Sequence, residues 1–215
     1  MDVGNPRVVL ASSSPARKAV LRAAGVFPDV LVPGVDEVFS APDTARRVCE
    51  IARLKGAAAR EMIGETPGEP TVLIAADTML DIDGVSYGKP HDMDVARQRL
   101  HAMSGGSGVL YTGHYVAVAM AGGRWRELVD VAATTVRFAS MTDDEIEAYL
   151  DTGEPLEVAG SFTIDGLGGP FVAGIEGDPS NVVGLSLPLL RLMLARLDVS
   201  WTSLWGTRAI LLKQH

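Results

Sequence analysis

Cysteine is nearly absent: Cys49 is the one thiol in 215 residues. That excludes an intramolecular disulfide framework and leads us to expect a reducing, cytoplasmic setting. Positive charge is also in deficit. With 19 lysines and arginines against 27 aspartates and glutamates, the net charge is −8. Sequence-independent binding of a nucleic acid polymer needs a broad basic surface, so no such partner is expected, and any anion site must be a focused pocket. No membrane partner is expected either. The most apolar stretch, residues 182–197, is broken by Pro188 and Arg191 before it reaches the ~20 residues a bilayer span needs. The first residues lack the cationic segment and apolar core of a secretory leader. The four histidines show no metal-ligand spacing, and none lies within sequence reach of the serines near position 13. Zinc and a serine triad are therefore disfavoured.

What is present is a core. A hydrophobic content of 47% suits one domain or two closely packed lobes. Valine-rich runs alternate with helical patterns in the first half, the arrangement of an α/β protein. VVLA leads into a helix capped by Ser14, with Pro15 at its first position and Gly25 after its end. Residues 26–40 read as a strand with a proline and glycine break. A long helix follows over residues 42–64, capped by Asp43 or Thr44 and stopped by Gly64. TVLIAADTMLDIDGVSY reads as a buried strand entering a hairpin, because Asp83-Gly84 suits a type I′ turn. Asp92 caps the next helix, which stops near Gly105. The second half is more antiparallel, with strand patterns either side of Gly122-Gly123, a Thr142/Glu145 capping box, a glycine-rich stretch of loops and short strands, and a helix begun by Ser186.

Four places carry unusual chemistry. Arg17 and Lys18 sit in the first turn of the opening helix, where the helix dipole disfavours cations. Either both curl into solvent, or free N–H groups, a serine hydroxyl and the arginine fork converge on a phosphate. In the long helix, Val48, Ile51, Ala52, Ala58, Ala59 and Met62 form an apolar stripe, and Lys55 falls in its middle. It either snorkels or occupies a pocket facing a negative partner. Asp77-Thr78 ends the apolar run VLIAA, the place in an α/β sheet where a carboxylate can hold a metal or activate water; a turn-capping aspartate is the alternative. Gly88-Lys89-Pro90 fails as a nucleotide-kinase phosphate loop, since Gly84 is one residue too close and proline replaces the magnesium-binding hydroxyl. Lys89 can still meet a phosphate as a point charge or simply stay solvated. Asp36-Glu37 adds an acidic pair; Glu37 and Asp77 together would suit a hard divalent cation, or Asp36-Glu37 is a solvated loop.

In this order the segments LASSSPARKAVLRAAGV, PGVDE, ARLKGAAA, AADTMLDIDGVSYGKP, AYLDTGEPLEVAGSFTIDGLGG and IEGDPSNVVGLSLPLL resemble the Maf family of nucleoside triphosphate pyrophosphatases. The resemblance covers most of residues 8–190 and leaves a C-terminal tail, residues 196–215, outside it. It implies a mixed α/β fold like that of the inosine triphosphate pyrophosphatases: an extended twisted sheet flanked by helices, with two lobes around a central cleft, in one domain over residues 1–215. It further implies a divalent metal, Mg2+ or Mn2+, a homodimer, and hydrolysis of a nucleoside triphosphate between its α- and β-phosphates, clearing non-preferred or modified nucleotides. By the same resemblance Asp77 is the catalytic acidic residue, Glu37 and Asp77 face the metal, and Ser14, Arg17, Lys55 and Lys89 line the phosphates. Thr78 matches the pyrimidine-preferring subgroup, whereas Asp165 stands where those relatives carry glutamine and Ala16 where the family carries an arginine. An ionised aspartate only accepts hydrogen bonds, so a base with a donor edge, as in guanine, suits Asp165. A nucleotide-sensing role in cell division without turnover is the alternative function.

Overall fold

The computed structural model describes residues 5–35, 41 and 43–205. Its centre is a mixed sheet in the order β2-β1-β3-β5-β6-β7, with β4 paired to β3 off that path. The strands are β1 (Arg7–Leu10), β2 (Asp29–Val30), β3 (Thr71–Ile82), β4 (Val85–Tyr87), β5 (Ser107–Ala119), β6 (Arg126–Phe138) and β7 (Val172–Glu176). Only β1 is parallel to its neighbours; the other pairs are antiparallel. The helices are α1 (Pro15–Ala23), α2 (Thr44–Ile63), α3 (Met93–Met103), α4 (Asp143–Asp151), α5 (Pro179–Val182) and α6 (Leu187–Arg196).

Local chemistry sets most of these limits. Ser14, Asp43, Asp92 and Ser186 each accept a backbone N–H in the first turn of α1, α2, α3 and α6, and Thr142 and Glu145 close a reciprocal capping box on α4. Asp83 and Gly84 both take positive φ, as a type I′ hairpin requires. Two expectations are corrected. Within residues 26–35 pairing is confined to Asp29–Val30, since Pro28 and Pro33 bracket it and cannot donate to a ladder; residues 36–40 lie outside the described region. Met62 is 60% exposed, because the buried face of α2 runs through Ala52, Gly56, Ala59 and Ile63, to one side of it.

Strand alternation sorts the core. Val72, Ile74 and Ala76 face α1 and α6 with Leu21, Leu190, Met193 and Leu194. Leu73 and Ala75 face α2 with Ala52, Ala59 and Tyr115. A third cluster gathers Leu80, Leu110 and Phe138 against α3 and α4. β3 therefore crosses from one body of core to another, and Asp77, Thr78 and Met79 lie at the crossing.

Candidate active site

β5 pairs β3 from Thr71 to Asp81, so β1 and β4 must share the other edge of β3. β1 covers Thr71 to Ile74, and β4 covers Leu80 to Ile82. Ala75 to Met79 therefore has no strand partner on that edge among the described residues. β1 ends here, and the loop Ala11–Ser14 turns away into α1. This is the end-of-strand crevice where α/β sheets hold ligands.

Side chains approach the opening from both faces. On one face α2 delivers Lys55, whose Nζ donates to Asp77 Oδ1 at 2.8 Å, with 13% and 9% of the two side chains exposed. The apolar stripe thus holds its lysine in a pocket facing a carboxylate. Close approach of α2 makes this possible. Gly113 is the β5 residue opposite Asp77, and a Cβ there would lie 2.3 Å from the Val48 carbonyl oxygen. About two turns on, a Cβ at Gly56 would overlap the Tyr115 ring. The second Asp77 oxygen, Oδ2, is buried and has no hydrogen-bond partner among the described residues. A buried acceptor left so costs about 1–3 kcal/mol, a cost that a water, a cation or a substrate proton removes.

On the other face Arg17 reaches up from α1. Its Nε donates to the Gly184 carbonyl at 2.8 Å, and its terminal nitrogens donate to Ser12 Oγ at 3.1 Å and Thr78 Oγ1 at 2.9 Å. Ser14 Oγ accepts the Arg17 N–H. The early arginine is therefore 9% exposed, its fork tying α1, β3 and the turn after α5 together. Thr78 Oγ1 also meets Thr112 Oγ1 at 3.1 Å.

Sequence reasoning missed a buried histidine whose charge state the Arg17 cation influences. His114 on β5 is fully buried; its Nδ1 lies 2.9 Å from the Thr112 carbonyl, and Nε2 accepts the Ser186 N–H at 2.9 Å. The first contact puts the proton on Nδ1. Burial, and to a smaller degree the Arg17 charge, push the imidazole down to about 4, so it is neutral. No spacing in the sequence marks it, because both partners are backbone groups.

The remaining expected residues lie elsewhere. Lys89 is half-exposed, 3.9 Å from Glu157 Oε2. Asp165 is exposed in a bend. Among the described residues no hydrogen bond or ion pair joins either to Asp77. Glu37 falls outside the described residues, and among those described no three His, Cys, Asp or Glu side chains gather.

A mixed sheet with one opened strand edge, lined by a lysine–aspartate pair and a buried arginine, defines an α/β protein with charged side chains gathered at one strand opening. Residues 7–197 match the family model described as Maf-like protein, and the chain belongs to the Maf family. It is 54% identical over 201 residues to a nucleoside triphosphate pyrophosphatase of Salinispora tropica, covering 93% of this chain and 88% of that one. It is 49% identical over 210 residues to one of Rhodococcus erythropolis, covering 95% and 99%. A solved HAM1 protein of Coxiella burnetii overlays at a TM-score of 0.38 with 13% identity, covering 98% of this chain and 100% of that one, too slight a likeness to argue from.

Proposed function

We propose that this chain is a nucleoside triphosphate pyrophosphatase, with the opened edge of β3 as its centre. Water attacks the α-phosphorus, the bond from that phosphorus to the bridging oxygen breaks, and a nucleoside monophosphate and pyrophosphate leave. The observation that carries the site assignment is Asp77: one oxygen is fixed by Lys55, and the other is buried with no partner among the described residues. In this reading Oδ2 orients the attacking water and takes its proton. Lys55 locks the carboxylate and, with Lys89, offsets polyphosphate charge. The Ser12–Ser14 loop lines the phosphates, with Ser14 fixing the start of α1. Arg17 holds the Thr78 hydroxyl in place as a substrate contact and adds a buried positive charge beneath the phosphates. Asp165 reads the base.

A divalent cation fits this donor set in one respect, because Asp77 Oδ2 is a hard, buried oxygen with no partner among the described residues. Asp77 and Glu37 would hold Mg2+ or Mn2+ together with substrate oxygens. When bound, the ion would neutralise charge developing on the phosphates.

We further propose one functional unit of two lobes about the β3 crossing, working in the cytoplasm on non-preferred or modified nucleotides. Among the described residues no helix is long and apolar enough to cross a membrane. Leu192 and Trp205, 51% and 44% exposed, support a homodimer. The test is product identity. Incubated with a panel of nucleoside triphosphates and Mg2+ or Mn2+, the protein is expected to release pyrophosphate and monophosphate. Orthophosphate release, or tight binding without turnover as in a nucleotide sensor, would overturn the proposal.

A further inference from the structure

The glycine-rich stretch before β7 holds a second carboxylate whose partners all lie nearby in the chain. Glu154 opens a 3-10 turn, Glu154–Glu157, after α4. Its Oε1 accepts the Tyr149 hydroxyl at 2.8 Å, the Thr163 hydroxyl at 2.7 Å and the Gly168 N–H at 3.0 Å. Its Oε2 accepts the Leu167 N–H at 3.1 Å. Thr163 Oγ1 also takes the Gly168 N–H at 3.3 Å, so both ends of the loop Thr163–Gly168 are tied to one side chain.

The wrap leaves no room for larger residues. A Cβ on Gly166 would lie 2.6 Å from Glu154 Oε2, and one on Gly168 would lie 2.5 Å from the Tyr149 hydroxyl. Burial pushes the Glu154 carboxyl up, but the bonds from Thr163, Leu167, Tyr149 and Gly168 outweigh it and hold the group below its usual range. The carboxylate is therefore the form that organises the loop. Between the two tied ends, Asp165, Gly166 and Leu167 are exposed. A carboxylate and an isobutyl group stand together at the tip, suited to accept from the N–H edge of a base and to cover its apolar face. The same 3-10 turn ends at Glu157, which faces Lys89.

We propose that Glu154 is a positioning residue for nucleotide selection: its carboxylate clamps the loop Thr163–Gly168 so that Asp165 and Leu167 are preset to choose bases that present adjacent N–H donors. This rests on the reading of Asp165 as the base contact given under Proposed function. Selection depends on preorganisation, because a loop sampling many conformations offers Asp165 to every base alike.

The test compares Glu154→Gln and Glu154→Ala with the wild type on GTP, ITP, UTP and dTTP, with inorganic tripolyphosphate as a base-free inhibitor. Glutamine keeps the volume but turns an N–H donor toward the loop N–H groups. In both variants the spread of kcat/KM between best and worst nucleotide is expected to shrink by about tenfold or more. Tripolyphosphate inhibition and kcat on the worst nucleotide are expected to stay within about threefold. Thr163→Ser, which keeps the hydroxyl, is expected to preserve selection, and Thr163→Val to weaken it. A folded Glu154→Gln variant with an unchanged spread, or one that loses activity equally on all nucleotides, would overturn the clamp. Should the wild type turn over none of them, the same spread is read in dissociation constants by displacement of a fluorescent nucleotide. Absence of turnover then counts against the pyrophosphatase reading, and a flat spread of affinities in the wild type or an unchanged spread in the variants counts against the clamp.

Discussion

Gly113 stands opposite Asp77 across the β3–β5 ladder, and its missing side chain is the space into which the backbone of α2 settles at Val48 and Cys49. Lys55 reaches Asp77 because the helix that carries it lies this close. Gly113→Ala is therefore expected to push α2 off the sheet, cost roughly 1–3 kcal/mol of stability and reduce turnover by about tenfold or more. Urea denaturation and steady-state kinetics measure both. An alanine variant as stable and active as the wild type would show that the close approach does not set the pair.

The Lys55–Asp77 pair is nearly buried, so removing Lys55 strands the Asp77 carboxylate. Lys55→Met is expected to destabilise the fold by about 3 kcal/mol. Adding Asp77→Asn to it is expected to recover part of that, roughly 1 kcal/mol, because the stranded charge is gone. A double-mutant cycle in urea reads the coupling, and strictly additive losses would contradict it.

His114 makes stability depend on pH. Its imidazole titrates at about 4 in the fold and near 6.5 unfolded, so between those values the unfolded chain binds more protons. Its contribution is present above pH 6.5 and is lost as pH falls toward 4, by roughly 3 kcal/mol in all. Protonating Nε2 also opposes the Ser186 N–H it accepts. The difference in urea stability between wild type and His114→Gln is expected to narrow across this range as pH falls. A pH-independent difference would remove the assignment.

Much of the fold was legible because its signals are local. Ser14-Pro15, Asp43, Asp92, Thr142/Glu145 and Ser186 each bond within a turn of themselves, so the sequence placed the helix starts correctly. Lys55 was legible as an anomaly in an apolar stripe. Its partner was not, since the pair is 22 residues apart in sequence and forms only because two glycines, Gly56 and Gly113, bring α2 close to β5. Strand alternation sets Asp77 and Thr78 on opposite faces, one meeting Lys55 and the other Arg17, whose helices the sequence does not assign to a face. Lys89 was legible as a lysine after a tight turn, and Asp165 only through the family resemblance; Lys89 lies 3.9 Å from Glu157, and the loop of Asp165 bonds to Glu154. The brief β2 pairing reflects Pro28 and Pro33, whose cost to a ladder outweighs the apolar pattern around them.

The most direct test of the account is Asp77→Asn. Asparagine keeps an oxygen for Lys55 at nearly the same volume but has no carboxylate to take a proton from water. Pyrophosphate release from the best nucleotide is expected to fall by about 10²–10⁴-fold, with KM within about threefold, in a protein that urea denaturation shows to be still folded. A folded Asp77→Asn protein releasing pyrophosphate at the wild-type rate would contradict the account.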